Sequence, residues 1–188
     1  MSTLRSSSIG SVVRRANITV GAGVMVFAAM AAPALADPVP SPQDVGAASE
    51  GYYYVENYNS GDCVAVPNGL PDPGRQVVQW SCLPGADSKI WYFDAVGTVG
   101  DDVVYQISNH ASKMCLAIGG GDTTQGKPAI QWHCGNGNEQ KWVYDDAGRL
   151  KNLATYKCLA VPDGSHQDGK GLVQWSCGSG NEQKWRLY

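Results

Sequence analysis

From Gly51 onward, short runs of β-branched, aromatic and other apolar residues alternate with clusters of Gly, Asn, Asp and Pro, and no apolar stripe of helical period reaches the length of a stable helix. The pattern predicts an all-β domain of short strands joined by tight turns. It also recurs. Cys63-Val-Ala-Val66, Cys115-Leu-Ala-Ile118 and Cys158-Leu-Ala-Val161 are three copies of one run, each with an Asn six residues upstream (Asn57, Asn109, Asn152). Val78-Gln79-Trp80-Ser81, Ile130-Gln131-Trp132-His133 and Val173-Gln174-Trp175-Ser176 each precede a second cysteine, and Trp91, Trp142 and Trp185 follow it. All six tryptophans therefore fall at two repeated positions.

The repeats run over about 51–99, 100–146 and 147–188. Cys63 and Cys115 are 52 positions apart, Cys115 and Cys158 only 43. The surplus in the first unit lies in the Leu83-Pro84-Gly85 turn and around 95–102, where a longer hairpin fits, because insertions belong in exposed turns. A unit of about 43 residues cannot bury an apolar face by itself, so three must share one core. Cys63 and Cys82, Cys115 and Cys134, and Cys158 and Cys177 are each 19 positions apart. Six cysteines allow 15 pairings, and the repetition selects the one in which each unit closes its own loop. Zinc is the competing reading, but the cysteines are far apart and no C-x-x-C occurs.

Upstream of the repeats the composition changes. Residues 1–36 carry Arg5, Arg14 and Arg15 and no acid, then a charge-free stretch that ends at Ala34-Leu35-Ala36. This is the layout of a bacterial signal peptide cleaved after Ala36, and it implies secretion into an oxidising compartment where disulfides persist. Residues 37–50 are Pro-rich and aperiodic, as expected of an extended linker. Loss of three of the 14 basic residues leaves 11 against 17 acidic ones, a net charge of −6. A chain so acidic is not expected to bind nucleic acid, which requires clustered Lys and Arg, and no membrane association is expected after cleavage.

The order of features within each unit, Cys-hydrophobic-x-hydrophobic, a polar Gly-rich loop, Trp-x-Cys and then Gln-x-Trp, resembles the repeat of the ricin B chain family of lectins. The resemblance covers Gly51 to Tyr188 and implies a β-trefoil: six two-stranded hairpins in pseudo-threefold arrangement, with one potential sugar pocket per unit. Gln140-Lys-Trp142 and Gln183-Lys-Trp185 match the Gln-x-Trp signature, whereas the first unit has Lys89-Ile-Trp91. The resemblance assigns Trp91, Trp142 and Trp185, with Gln140 and Gln183, to the core, and Trp80, Trp132 and Trp175 to the position that stacks on a sugar ring. A flat indole suits the apolar face of a pyranose. The other reading of that second set is a hydrophobic lid on the disulfide two residues away.

The chain departs from the family at the pocket. Where the family places an Asp two residues after the first Cys, this chain has Ala65, Ala117 and Ala160. A hydrogen bond to a charged group contributes about 1.5–3 kcal/mol, so the substitution is expected to weaken each site. Three residues before the core Trp, where the family commonly has Asn, stand Ser88, Glu139 and Glu182. Glu139 and Glu182 are candidates to restore a carboxylate acceptor at the rim; the alternative is that they are solvated acids beside Lys141 and Lys184. Asn68, Asp122, Asp163 and Asp168 are further candidate acceptors in the Gly-rich loops, although loop acids often serve turns.

No catalytic constellation accompanies these features. There is no Gly-x-Ser-x-Gly elbow, P-loop or paired-His metal motif, and His110, His133 and His166 occupy three different repeat positions. The sequence thus points to a non-enzymatic module without metal or cofactor. Two partner classes remain open. The triple Trp favours weak multivalent binding of glycans or polysaccharide. The triple Ala favours a trefoil whose sugar sites have degenerated and which binds a protein, as an inhibitor or complex subunit. A structural surface protein tethered by 37–50 is the third reading.

Overall fold

The computed structural model of the protein describes residues 48–188; the signal peptide read over 1–36 and most of the linker read over 37–50 lie outside the described residues. The described chain is all-β, with twelve strands, four in each repeat. The first repeat contributes β1 (Gly51–Asn57), β2 (Asp62–Ala65), β3 (Val78–Ser81) and β4 (Ile90–Val99). The second contributes β5 (Asp102–Asn109), β6 (Cys115–Ile118), β7 (Ala129–Trp132) and β8 (Lys141–Tyr144). The third contributes β9 (Leu150–Asn152), β10 (Cys158–Ala160), β11 (Val173–Trp175) and β12 (Trp185–Leu187).

The first and last strands of each repeat form a six-stranded barrel. Antiparallel pairing runs β1–β4–β5–β8–β9 and returns from β12 to β1. Between β9 and β12 the ring is completed by the Arg149–Lys184 bridge and by Trp185 N–H donating to Gly148 O at 2.7 Å. The inner strands pair as the hairpins β2–β3, β6–β7 and β10–β11, which cap one end. On the pseudo-threefold axis the caps meet in a closed ring of backbone hydrogen bonds: Val77 N–H donates to Ala129 O, Ala129 N–H to Leu172 O, and Leu172 N–H to Val77 O, at 2.9–3.0 Å. All three residues are fully buried. This is the β-trefoil expected from the threefold repeat.

The core is built by period-two alternation. In each Cys-x-Ala-x run one set of side chains, Val64 and Val66, Leu116 and Ile118, or Leu159 and Val161, joins the central cluster with Trp91, Trp142 and Trp185. The other set, Cys and Ala, faces the opposite side of the hairpin. Each core indole is fully buried and spends its single polar group inside its own unit, with Trp91 Nε1 donating to Val64 O, Trp142 Nε1 to Leu116 O and Trp185 Nε1 to Leu159 O, at 2.8–3.1 Å. A buried indole N–H without a partner would cost about 1–3 kcal/mol. Three disulfides, Cys63–Cys82, Cys115–Cys134 and Cys158–Cys177, tie one hairpin each.

Candidate functional site

Register determines what lines each pocket. Within the cap hairpins Cys63 lies opposite Trp80 and Ala65 opposite Val78; Cys115 opposite Trp132 and Ala117 opposite Ile130; Cys158 opposite Trp175 and Ala160 opposite Val173. Residues directly opposite in an antiparallel pair share a face, so each disulfide-bearing face also carries an Ala, a Val or Ile, and an indole. The Ala side chains lie at the floor and are almost fully buried. In the third unit the result is a cavity of about 450 Å³ with Ala160 and Val173 below, Trp175 on one side, and Asp163 and Glu182 at the rim. The second unit has an equivalent cavity of about 290 Å³ lined by Ala117, Ile130, Trp132 and Glu139.

Trp80, Trp132 and Trp175 are 46%, 45% and 44% exposed, although each is backed by a loop from another unit. Gly74, Gly126 and Gly169 all have φ near +80°, a conformation that favours glycine. A methyl group built on Gly74 would lie 3.5 Å from Trp132, on Gly126 3.4 Å from Trp175, and on Gly169 3.3 Å from Trp80. The loops are held by the residue before each indole. Buried Gln131 donates through Nε2 to Leu70 O and Asp72 O, Gln174 to Asp122 O and Thr124 O, and Gln79 to Ser165 O and Gln167 O, at 2.6–3.0 Å. The repeated Gln is legible in the sequence, but its partners, in another repeat, are not.

The rim carboxylates are placed by 3-10 turns, Asn138–Gln140 and Asn181–Gln183. Glu139 folds back over Gly137 and Glu182 over Gly180, so closely that a methyl group on either glycine would collide with the carboxylate. Both glycines have ordinary extended φ, −69° and −66°, so they provide room rather than backbone freedom. In the first unit Ala86 stands at the glycine position and Ser88 at the glutamate position, a paired change that leaves it without the equivalent of Glu139 and Glu182. The same turn carries the altered signature. Gln140 accepts from Gly135 N–H and donates to His133 O, and Gln183 accepts from Gly178 N–H and donates to Ser176 O. Lys89 reproduces only the donor half, with Nζ to Ser81 O at 2.6 Å.

The loop acids divide by position. Asp163 sits at φ +57°, exposed on the rim of the third pocket, 3.7 Å from Lys170 Nζ. Asn68 and Gly120 occupy the equivalent left-handed position in the other units. Asp122 is not at the rim of its own pocket: its carboxylate accepts from Thr124 N–H and Lys127 Nζ, and hydrogen bonding by the Thr124 side chain, by Lys127 and by the Thr124 backbone holds it well below the usual carboxylate range. Asp168 accepts from Ser81 N–H at 2.7 Å, where its loop meets the first unit. Among the described residues no three His, Cys, Asp or Glu side chains cluster as metal ligands would.

Comparison with known proteins agrees with this architecture. A model described as a ricin-type beta-trefoil lectin domain-like family matches residues 44–132, and one described as a ricin-type beta-trefoil lectin domain matches residues 103–188. These matches mark a lectin-type, carbohydrate-binding class of domain. The chain belongs to the ricin B-type β-trefoil family. A designed threefold-symmetric protein, ThreeFoil, is 29% identical, with a TM-score of 0.68 over 73% of this chain and 98% of that one. An exo-β-1,3-galactanase from Clostridium thermocellum is also 29% identical, with a TM-score of 0.67 over 76% of this chain, which spans 31% of that enzyme. The C-half of an earthworm R-type lectin in complex with GalNAc shares the fold at 16% identity and a TM-score of 0.59, over 73% of this chain and 97% of that one. No curated protein sequence matches the chain.

Proposed function

We propose that the protein is a secreted, non-catalytic carbohydrate-binding module that holds polymeric or clustered glycans through several weak sites. The trefoil of 51–188 presents the sites, and residues 1–36 and 37–50 serve as signal peptide and linker. Trp132 and Trp175 are the stacking platforms, Glu139 and Glu182 accept sugar hydroxyls at the rim, and Asp163 adds a second acceptor in the third unit. Trp80 offers a platform without the equivalent of these glutamates. The observation that carries this reading is the third-unit cavity, where a half-exposed indole and two carboxylates surround a space large enough for a pyranose. Stacking and one or two hydrogen bonds give modest affinity per site, and sites on one rigid body multiply through effective concentration.

The test is a pull-down on insoluble polysaccharides, β-1,3-galactan included because of the galactanase similarity, combined with a glycan array. Wild type is expected to bind at least one polymer, and the triple Trp80→Ala, Trp132→Ala, Trp175→Ala variant to lose it while keeping the native circular dichroism spectrum. Binding unaffected by the triple change overturns the stacking role. Absence of binding to every glycan overturns the whole reading in favour of a protein partner, the function that the three floor alanines favour.

A further inference from the structure

The floor of the pockets differs chemically from their rim. Below the indole plane the second and third pockets present the Ala117 methyl beside Ile130, and the Ala160 methyl beside Val173. The first unit repeats the arrangement with Ala65 and Val78. Neighbouring amides are already engaged: both polar atoms of Gln140 and of Gln183 are hydrogen-bonded to the backbone just before their 3-10 turns, at His133 and Gly135 and at Ser176 and Gly178. The remaining side-chain acceptors, Glu139, Glu182 and Asp163, all stand at the rim. A hydroxyl pressed on such a floor exchanges water for hydrocarbon and finds no side-chain partner there, which is unfavourable, whereas a methyl group there gains burial.

Resting on the carbohydrate-binding reading, we infer that these pockets select sugars carrying a methyl group, as in a 6-deoxy or N-acetylated pyranose. The ring stacks on Trp132 or Trp175, a hydroxyl edge donates to Glu139 or Glu182, and the methyl group points down onto Ala117–Ile130 or Ala160–Val173. The repetition of the Ala–Val or Ala–Ile pair in all three units, including the one with Ser88 at the glutamate position, separates this preference from the hydrogen bonding at the rim.

The experiment titrates the full chain with matched pairs that differ by the methyl-bearing group, D-fucose against D-galactose and N-acetylgalactosamine against galactose, followed by NMR shifts of the indole N–H groups. The methyl-bearing member of at least one pair is expected to bind about five-fold or more tightly than its parent. The two pairs distinguish the 6-deoxy from the acetamido source. In the double variant Ala117→Asp, Ala160→Asp the ratio is expected to fall to one or below, and in Ala117→Ser, Ala160→Ser, which adds one oxygen per floor, to fall by a smaller factor. Parent sugars binding as tightly as their methyl-bearing partners in wild type, or a ratio unmoved by the folded Ser variant, overturns the inference and leaves the module a glycan binder. If neither these sugars nor any polysaccharide binds, the functional reading fails together with it.

Discussion

Single side chains in this trefoil take their meaning from partners elsewhere in the chain. Gly180 illustrates this: its φ of −66° suits any residue, and what a larger side chain would displace is the Glu182 carboxylate lying over it. Gly180→Ala is therefore expected to leave the melting temperature within a few degrees of wild type, because the backbone is unstrained, yet to lower glycan affinity as much as Glu182→Gln does. Calorimetry and titration of both variants check this; a Gly180→Ala protein with wild-type affinity would show that the carboxylate position does not matter. At the opposite extreme, Trp142→Ala removes a fully buried indole and is expected to cost about 3–5 kcal/mol in denaturant unfolding. The positions of Trp142, Glu139 and Glu182 are readable from the repeat alone. The need for Gly137 and Gly180 is not, because glycine in a polar turn carries no mark that distinguishes space from flexibility. Val78, Ile130 and Val173 were equally hidden, since their part in the pocket depends on the register with Ala65, Ala117 and Ala160. Period-two alternation along each run was the signal available for finding them.

At the scale of elements, the loops and hairpins of one repeat complete the sites of another. Gln174 ties the loop containing Asp122 and Thr124 to the base of the Trp175 platform. Gln174→Ala leaves two carbonyls without their donor and is expected to cost about 2–3 kcal/mol, with the largest loss of amide-exchange protection near Gly126, whose N–H donates to Gln174 O. Protection that falls uniformly instead would refute the clamp. Asp122 was legible as a loop acid but not as part of this joint, because a loop's docking partner leaves no local pattern. The β8–β12 contact gives a pH prediction. Tyr144 hydroxyl donates to Trp185 O at 2.7 Å, and burial raises its ionisation well above the ordinary tyrosine value. The folded state thus binds this proton more tightly than the unfolded state. Its contribution is complete below the unfolded pKa of about 10 and declines as pH rises above it. Tyr144→Phe is expected to lose about 1 kcal/mol at neutral pH and to show a shallower fall in stability between about pH 10 and 12.

For the molecule as a whole, the equal Cys spacing and the two Trp positions make the threefold fold legible in the sequence, because a β-trefoil repeats its core chemistry as well as its chain length. The path of the barrel was not legible. That β1 finds β12, and that Val77, Ala129 and Leu172 close a ring on the axis, depends on contacts spanning most of the domain. Each disulfide closes a short local loop, so replacing both Cys115 and Cys134 with Ser is expected to cost about 2–5 kcal/mol without altering the fold, as circular dichroism and thermal unfolding would report. A larger penalty, with loss of the native spectrum, would mean that the bridge directs folding rather than stabilising its product.

The meeting of β1 with β12 also sets a schedule. Asn57 pairs with Trp185, so the first strand leaves the ribosome long before its partner exists. At roughly 5–20 residues per second the interval is on the order of ten seconds. Throughout that time the Val55–Asn57 edge lacks its final partner and is a template for a strand from a neighbouring nascent copy. Unfinished chains crowded together, before export and disulfide closure, are therefore where this barrel is open to mispairing.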